Sequence, residues 1–303
     1  MIQLGNVAGS TDNSRTSGLP QWFAENPSDQ DLQRANGSCR IVLSSSGKET
    51  RIADVFQRSP IRVLFPRGRG GAVEEAVLIN TAGGIAGGDR LDSAVTALAN
   101  ASIAVTSQAA EKVYRALNEP ARIATRLTVC EAARLAWLPQ ETIVFNCARL
   151  CRETEIELSS GAELLALEWL VLGRVAHCEK VVGGHITDSW RVKKDGRLIW
   201  ADAFRATEET FPHVHRKALL SNHRAVATLI YFGPEPDARL ELLREIASSL
   251  ECDCAATSLG GLIIVRLAAT APSGLRLALR SLLERFEQEL SPGPFRVPKM
   301  WSC

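Results

Sequence analysis

Three carboxylates stand in apolar company: Asp89 at the end of a glycine-rich run, Glu168 inside Leu165-Ala-Leu-Glu-Trp-Leu170, and Asp202 after Leu198-Ile-Trp-Ala201. A carboxylate removed from water is costly unless a cation, a set of donors or bound water meets it; otherwise it neutralises. Two readings stay open for these acids. They are structural ion pairs, with Arg90, Arg174 and Arg205 near them in sequence, or they line an internal wet passage that a cation can use. Softer ligands occur as His213-Val-His215 and Cys252-Asp-Cys254. On a strand, side chains two apart share a face, so either pair could grip a metal. The spacing between the pairs is not that of a structural zinc site, and surface histidines with core thiols are the plainer reading. His177, His185 and His223 are isolated and read as satisfied or solvated.

The run Asn80-Thr-Ala-Gly-Gly-Ile-Ala-Gly-Gly-Asp89 carries Gly83, Gly84, Gly87 and Gly88. Such backbone must turn sharply or approach a neighbour closely. A phosphate cradle is disfavoured, because the run ends in Gly-Asp-Arg and feeds a strand-like stretch rather than a helix. Nucleophilic catalysis also lacks support: Ser107 and Ser221 belong to no Gly-x-Ser-x-Gly elbow. Lys112, Tyr114 and Arg115 flank Val113 and could project donors from a strand, or form a solvated face with one packed aromatic.

The elements that must position these groups are mostly strands. Short apolar or alternating runs predict strands at 40–43, 62–65, 76–79, 94–98, 102–106, 123–129, 143–145, 155–158, 163–170, 186–192, 198–201, 225–232 and 262–267. Lys194-Asp-Gly-Arg197 predicts a tight hairpin turn, and Leu138-Pro-Gln-Glu141 a turn. Period-3.6 patterns predict helices over 238–250 and 274–290, the second capped by Ser273. Residues 1–38 read as a flexible polar extension whose one apolar spot is Trp22-Phe23. Residues 39–303 read as a single domain.

Bulk properties narrow the function classes. With 35 basic and 34 acidic residues the formal charge is +1, which gives no electrostatic footprint for nucleic acid. No apolar run reaches the length of a membrane span, and the N-terminus lacks a signal pattern, so a cytoplasmic location is expected. Eight cysteines without paired CxxC spacing read as small buried hydrophobes in a reducing compartment.

Five segments, in order, resemble the urease accessory protein family UreD, called UreH in some systems. They are Asn80–Asp89, Ala110-Glu-Lys-Val-Tyr-Arg115, Leu138-Pro-Gln-Glu-Thr-Ile-Val-Phe145, Leu164–Arg174 and Val297-Pro-Lys-Met-Trp301. The last stands where the family usually has Pro-Arg-Ile-Trp. Within them the resemblance marks the four glycines, Lys112, Tyr114, Arg115, Pro139, Gln140, Glu141, Gly173 and Arg174. It implies a mainly β fold of layered sheets in a superhelical stack, with two C-terminal helices packed near its end. It also implies a non-enzymatic scaffold, without a permanent cofactor, that loads nickel(II) into apo-urease together with UreF and UreG; any GTP hydrolysis would belong to UreG. On that footing Asp89, Glu168 and Asp202 become a candidate nickel path. Sparse oxygen ligands suit a carrier that must release its ion, whereas thiolate and imidazole clusters would trap it. Two rivals remain: an enzyme using the glycine loop with Asp89 as general base, and a purely mechanical bridge that no metal touches. The segment 295–301 is expected either to dock a partner or to pack on its own core.

Overall fold

The chain winds back and forth between two sheets. The computed structural model describes residues 33–47, 49–66, 74–289 and 296–302; the extension with Trp22-Phe23, and positions 290 and 295, lie outside them. The first sheet holds β1 (Asn36–Ser46), β2 (Glu49–Arg58), β5 (Arg90–Ala97), β8 (Ala121–Val129), β11 (Arg149–Leu158), β13 (His185–Lys194) and β14 (Arg197–Ala206). Their spatial order is β14-β13-β11-β8-β5-β1-β2. The second holds β3 (Ile61–Leu64), β4 (Glu75–Asn80), β6 (Ser102–Ser107), β9 (Arg134–Trp137), β12 (Glu163–Leu172), β15 (Ala225–Phe232), β16 (Asp253–Leu259) and β17 (Leu262–Ala269). Their order is β16-β17-β15-β12-β9-β6-β4-β3.

Each pass of the chain leaves one strand in each sheet, so β1, β5, β8, β11 and β13 run parallel, as do β4, β6, β9 and β12. Antiparallel strands finish both ends: β2 and β3 at one, β14 to β17 at the other. This is the layered, solenoid-like stack that the resemblance implies.

Two short strands, β7 (Glu111–Val113) and β10 (Thr142–Val144), make a parallel third face. They meet the second sheet through β12, which is shared lengthwise. Its residues Glu163–Ala166 pair with β9, while Leu170–Leu172 pair with β10. Between these pairings the turn Leu138–Glu141 crosses, and the ladder on that side of β12 opens at Leu167, Glu168 and Trp169. On the other side β15 pairs without a break.

Strand β12 is buried on both faces, and its alternation assigns each face. Leu164, Ala166, Leu170 and Leu172 enter the core between the sheets. Leu165, Leu167, Trp169 and Val171 enter a second core, under α1 (Pro236–Ser248) and α2 (Pro272–Glu289). Glu168 therefore falls in the inter-sheet phase. Helix α2 begins at Pro272, so Ser273 sits in its first turn and is not its cap; Pro suits a first helical position, where no N–H is needed. Strands β2, β9 and β16 lie beyond the predicted runs. In β2 most positions are exposed, which removes the apolar alternation that would mark it.

Of the tail expected to dock or to fold back, Trp301 folds back. It is buried, stacks on Trp169 with ring centroids 6.0 Å apart, and donates its indole N–H to the Leu138 carbonyl at 2.9 Å. Arg276 of α2 lies over its ring and also bonds Gln140 and Glu141 at 2.6 and 3.1 Å. Trp301→Ala should destabilise the chain by about 3–5 kcal/mol through the cavity it leaves. Trp301→Phe should cost only about 1 kcal/mol, mainly the lost hydrogen bond. Urea unfolding midpoints check the order; two variants as stable as the parent would contradict this packing.

Candidate functional site: a polar seam between the sheets

The glycine run closes against the third face. Ile85 forms a parallel bridge with Val113, and the Tyr114 hydroxyl donates to the Gly83 carbonyl at 3.1 Å. Two kinds of glycine demand coexist. Gly83 and Gly88 have φ of +75° and +86°, a conformation costly for other residues. A Cβ on Gly84 would stand 2.5 Å from the Tyr114 ring, and one on Gly87 2.6 Å from the Glu119 carbonyl. Asp89 finishes the loop from within. Its two oxygens accept the backbone N–H groups of Ala35 and Ala86, each at 2.8 Å.

Beyond the loop, Tyr114 meets Phe145 edge-on at 5.2 Å, and the Arg174 guanidinium lies 4.4 Å over the Phe145 ring. Arg174 also grips the Glu179 carboxylate with its backbone N–H and two guanidinium nitrogens, each at 3.0 Å. Gly173 turns the chain at φ +77° just before it. Arg115 bridges Ala148, Lys112 is exposed on β7, and Pro139 accepts the Trp169 indole N–H at 3.3 Å. The segments Asn80–Asp89, Glu111–Arg115, Leu138–Phe145 and Gly173–Arg174 thus meet on one side of the molecule.

Inside this side runs a row of polar groups set by strand register. In β11 the buried phase is Leu150, Arg152, Thr154, Ile156 and Leu158; in β13 it is Ile186, Asp188, Trp190 and Val192. Arg152 pairs in register with Asp188, so both side chains enter the inter-sheet core together. Arg152, only 2% exposed, donates Nε and Nη2 to the two Asp188 oxygens at 2.9 and 2.6 Å. Its Nη1 reaches Glu168 Oε2 at 2.7 Å and Thr142 Oγ1 at 3.0 Å. The other Glu168 oxygen accepts the Trp137 indole N–H at 2.9 Å.

Burial pushes the Glu168 carboxyl above its ordinary range; Arg152 and the Trp137 bond oppose this and Asp188 adds to it. For Arg152, burial disfavours the charge but Asp188 and Glu168 outweigh it, so the guanidinium stays protonated. One cation thus faces two acids.

Two cavities flank this cluster, and Glu168 lines both. A chamber of about 80 Å³ is bounded by Asn80, Ser107, Glu111, Gln140 and Arg152. Within it Asn80 donates to Glu111 at 2.9 Å, while burial holds the Glu111 carboxyl above its usual range. The other cavity, about 490 Å³, opens between Asp188 and Phe204 of one sheet and Thr228, Ala255 and Arg266 of the other. Arg266 there bonds Asp202 at 2.6 Å, and Asp253 bonds His223 at 3.0 Å.

The three sequence-marked acids therefore take different places. Glu168 sits at the junction, Asp202 lies beside the larger cavity through Arg266, and Asp89 lines neither cavity. The arginines near them in sequence are not their partners in these contacts; Arg152 and Arg266 come from distant strands. Arg152, Asp188 and Glu111 escaped the sequence reading. The signal was present, since each shares the alternation phase of buried neighbours: Leu150 and Ile156, Ile186 and Trp190, and Val113.

His213 and His215 lie at a short 3-10 turn rather than on a strand, both exposed. Pro212 and the run of turns after it prevent an extended pairing there. Cys252 and Cys254 flank Asp253 at the start of β16, packed toward the helices, and burial pushes the Cys254 thiol up to about 12. Among the described residues no group of three His, Cys, Asp or Glu side chains is placed to hold a metal.

The model of the UreD urease accessory protein family matches residues 35–302. This chain belongs to that family. Relatives named urease accessory protein UreD include one from Xanthobacter autotrophicus, 41% identical over 89% of this chain and 91% of the relative. Another, from Chelativorans sp., is 37% identical over 94% of this chain and all of the relative. The chain is accordingly a urease accessory protein. Among the described residues no helix is long and apolar enough to cross a membrane.

The Arg174 grip gives a pH-dependent prediction. Its hydrogen bonds hold the Glu179 carboxyl down at about 2, against about 4.3 for a free glutamate. A depressed carboxyl stabilises the fold above its unfolded value and loses that contribution as pH falls through the folded one. Arg174→Gln removes the guanidinium bonds but leaves the backbone N–H bonds of residue 174 and Asn146, so it should raise the Glu179 titration toward the ordinary range without fully reaching it. The stability difference from the parent should be present near pH 6 and shrink from about pH 4 toward 2. Carboxyl-detected NMR titration and urea midpoints across pH check it; a pH-independent difference would contradict it.

Proposed function

We propose that this chain is the scaffold that joins apo-urease to UreF and UreG during nickel insertion, and that nickel(II) crosses it along the inter-sheet seam. The carrying observation is Glu168: one buried carboxylate lines both cavities, with Glu111 on one side and Asp188, Asp202 and Asp253 on the other. These are oxygen donors spread along a path, each already held by an arginine, an amide, a histidine or an indole. An ion handed between such groups exchanges one weak set of contacts for the next, and no soft cluster arrests it. Nickel is cargo in this reading, bound transiently, and the expected setting is the cytoplasm. The enzyme alternative is weakened by Asp89, whose two oxygens are both engaged by backbone N–H groups and so are poorly placed to take a substrate proton.

The test separates passage from assembly. Glu168→Gln keeps the size and part of the hydrogen bonding while Asp188 still holds Arg152 through two bonds. Complex with UreF and UreG should form in near-normal yield, but co-expressed urease should contain several-fold less nickel. Glu111→Gln should act the same way. Asp89→Asn replaces one of the two acceptor oxygens by an amide donor that faces the backbone N–H of Ala35 or Ala86, so it should lower the yield of complex instead. Elemental analysis of purified urease, with complex yield beside it, reads both effects. Normal nickel loading through Glu168→Gln and Glu111→Gln together would end the passage reading and leave a mechanical bridge.

A further inference from the structure

We infer that Arg152 keeps the junction of the two cavities from retaining its cargo, by occupying the point at which Glu168 and Asp188 would otherwise chelate a divalent cation. The inference rests on the nickel passage proposed above and names the residue that regulates it. Both oxygens of Asp188, one oxygen of Glu168 and the Thr142 hydroxyl all converge on a single guanidinium, at 2.6 to 3.0 Å. Groups that converge on one planar cation from the neighbouring strand of its own sheet, a strand of the other sheet and the third face also enclose the space that cation fills. Emptied of the guanidinium, that space would present two carboxylates and a hydroxyl, a hard oxygen set that suits divalent cations and carries a charge of minus two. With Arg152 in place the cluster carries minus one and Asp188 is fully committed.

The position of the cluster gives this a consequence for transit. Arg152 lines the small chamber, Asp188 the larger cavity, and Glu168 both. A cation moving between them must draw on Glu168 while the guanidinium competes for the same carboxylate. Attraction by the net negative charge brings the ion in, and competition limits how long it stays. A neutral residue at 152 would convert the junction from a crossing point into a trap. The Trp137 and Thr142 contacts hold the acid and the guanidinium in place, so the competition is built into the fold.

The experiment uses the full chain co-expressed with UreF and purified, in three forms: parent, Arg152→Gln, and Arg152→Gln with Asp188→Asn. The double variant restores the parent's net charge of minus one at the junction. Each is equilibrated with nickel sulfate and passed through a desalting column, and retained nickel is measured by elemental analysis. Arg152→Gln should retain at least roughly tenfold more nickel than the parent, because a charge in direct contact with the site has been removed. The double variant should fall back to the parent's value. Nickel should also raise the unfolding temperature of Arg152→Gln and not that of the parent. Arg152→Lys, which keeps the charge but has one nitrogen in place of the fork, should retain an intermediate amount and serves if Arg152→Gln is poorly soluble.

Retention by Arg152→Gln or Arg152→Lys no greater than the parent's would overturn the inference, as would equal retention by the single and double variants. Retention is read without urease, so it separates from the passage reading. If Arg152→Gln traps nickel while Glu168→Gln leaves urease loading normal, the passage fails; if loading falls but nothing is trapped, only the role of Arg152 fails.

Discussion

A guanidinium buried between two sheets is the constraint to which much of this side of the molecule answers. Removing an ion from water costs several kcal/mol even after the surroundings relax, and only close, well-directed partners offset it. Asp188 supplies a two-bond fork from the next strand of the same sheet, Glu168 a third contact from the opposite sheet, and Thr142 a fourth from the third face. Each partner must therefore be held in register. The parallel pairing of β11 with β13, the phase of β12 and the short strand β10 are what hold them.

The opening beside Glu168 follows from how the second sheet is built. A continuous partner strand along β12 would close the ladder at Leu167–Trp169. Instead β9 ends, the chain turns through Leu138–Glu141, and β10 resumes at Leu170. That turn needs support from outside, which the C-terminal tail and α2 supply through Trp301 on Leu138, Met300 on Gln140 and Arg276 on Gln140 and Glu141. The tail thus bears on the seam although it lies in the other core. Segments far apart in sequence share one task here: they shape and brace a gap in a sheet.

Much of this architecture was legible in the chain. Alternation placed most strands and the helical periods placed both helices, because those patterns report burial on one side of an element. The glycine run declared a backbone demand, and its detail divides between left-handed turns at Gly83 and Gly88 and close approach at Gly84 and Gly87. Strands β2 and β16 were silent, since an edge strand with most positions exposed carries no apolar period. The acids show where local reading stops. Glu168 announces itself amid leucines, but its cation lies sixteen residues upstream on another sheet, and Asp202 finds Arg266 across the sandwich. Arg152 and Asp188 look like solvated strand residues until the alternation of Leu150, Ile156, Ile186 and Trp190 is carried through them. Asp89 was visible as an acid, yet its task depends on the backbone of Ala35, which no local pattern connects to it.

The central claim is that a polar, hydrated seam crosses an otherwise apolar sandwich and is narrowed at Arg152. The most direct measurement is a crystal structure of the chain with its partners, at a resolution that shows ordered water. Water should occupy the small chamber in contact with Asn80, Glu111 and Glu168, because a buried site with several polar partners holds it. It should continue on the far side of Arg152 along Asp188, Thr228 and Arg266. A dry chamber, with Glu111 and Glu168 bonded only to protein groups, would contradict the account and leave the cluster as a structural ion pair.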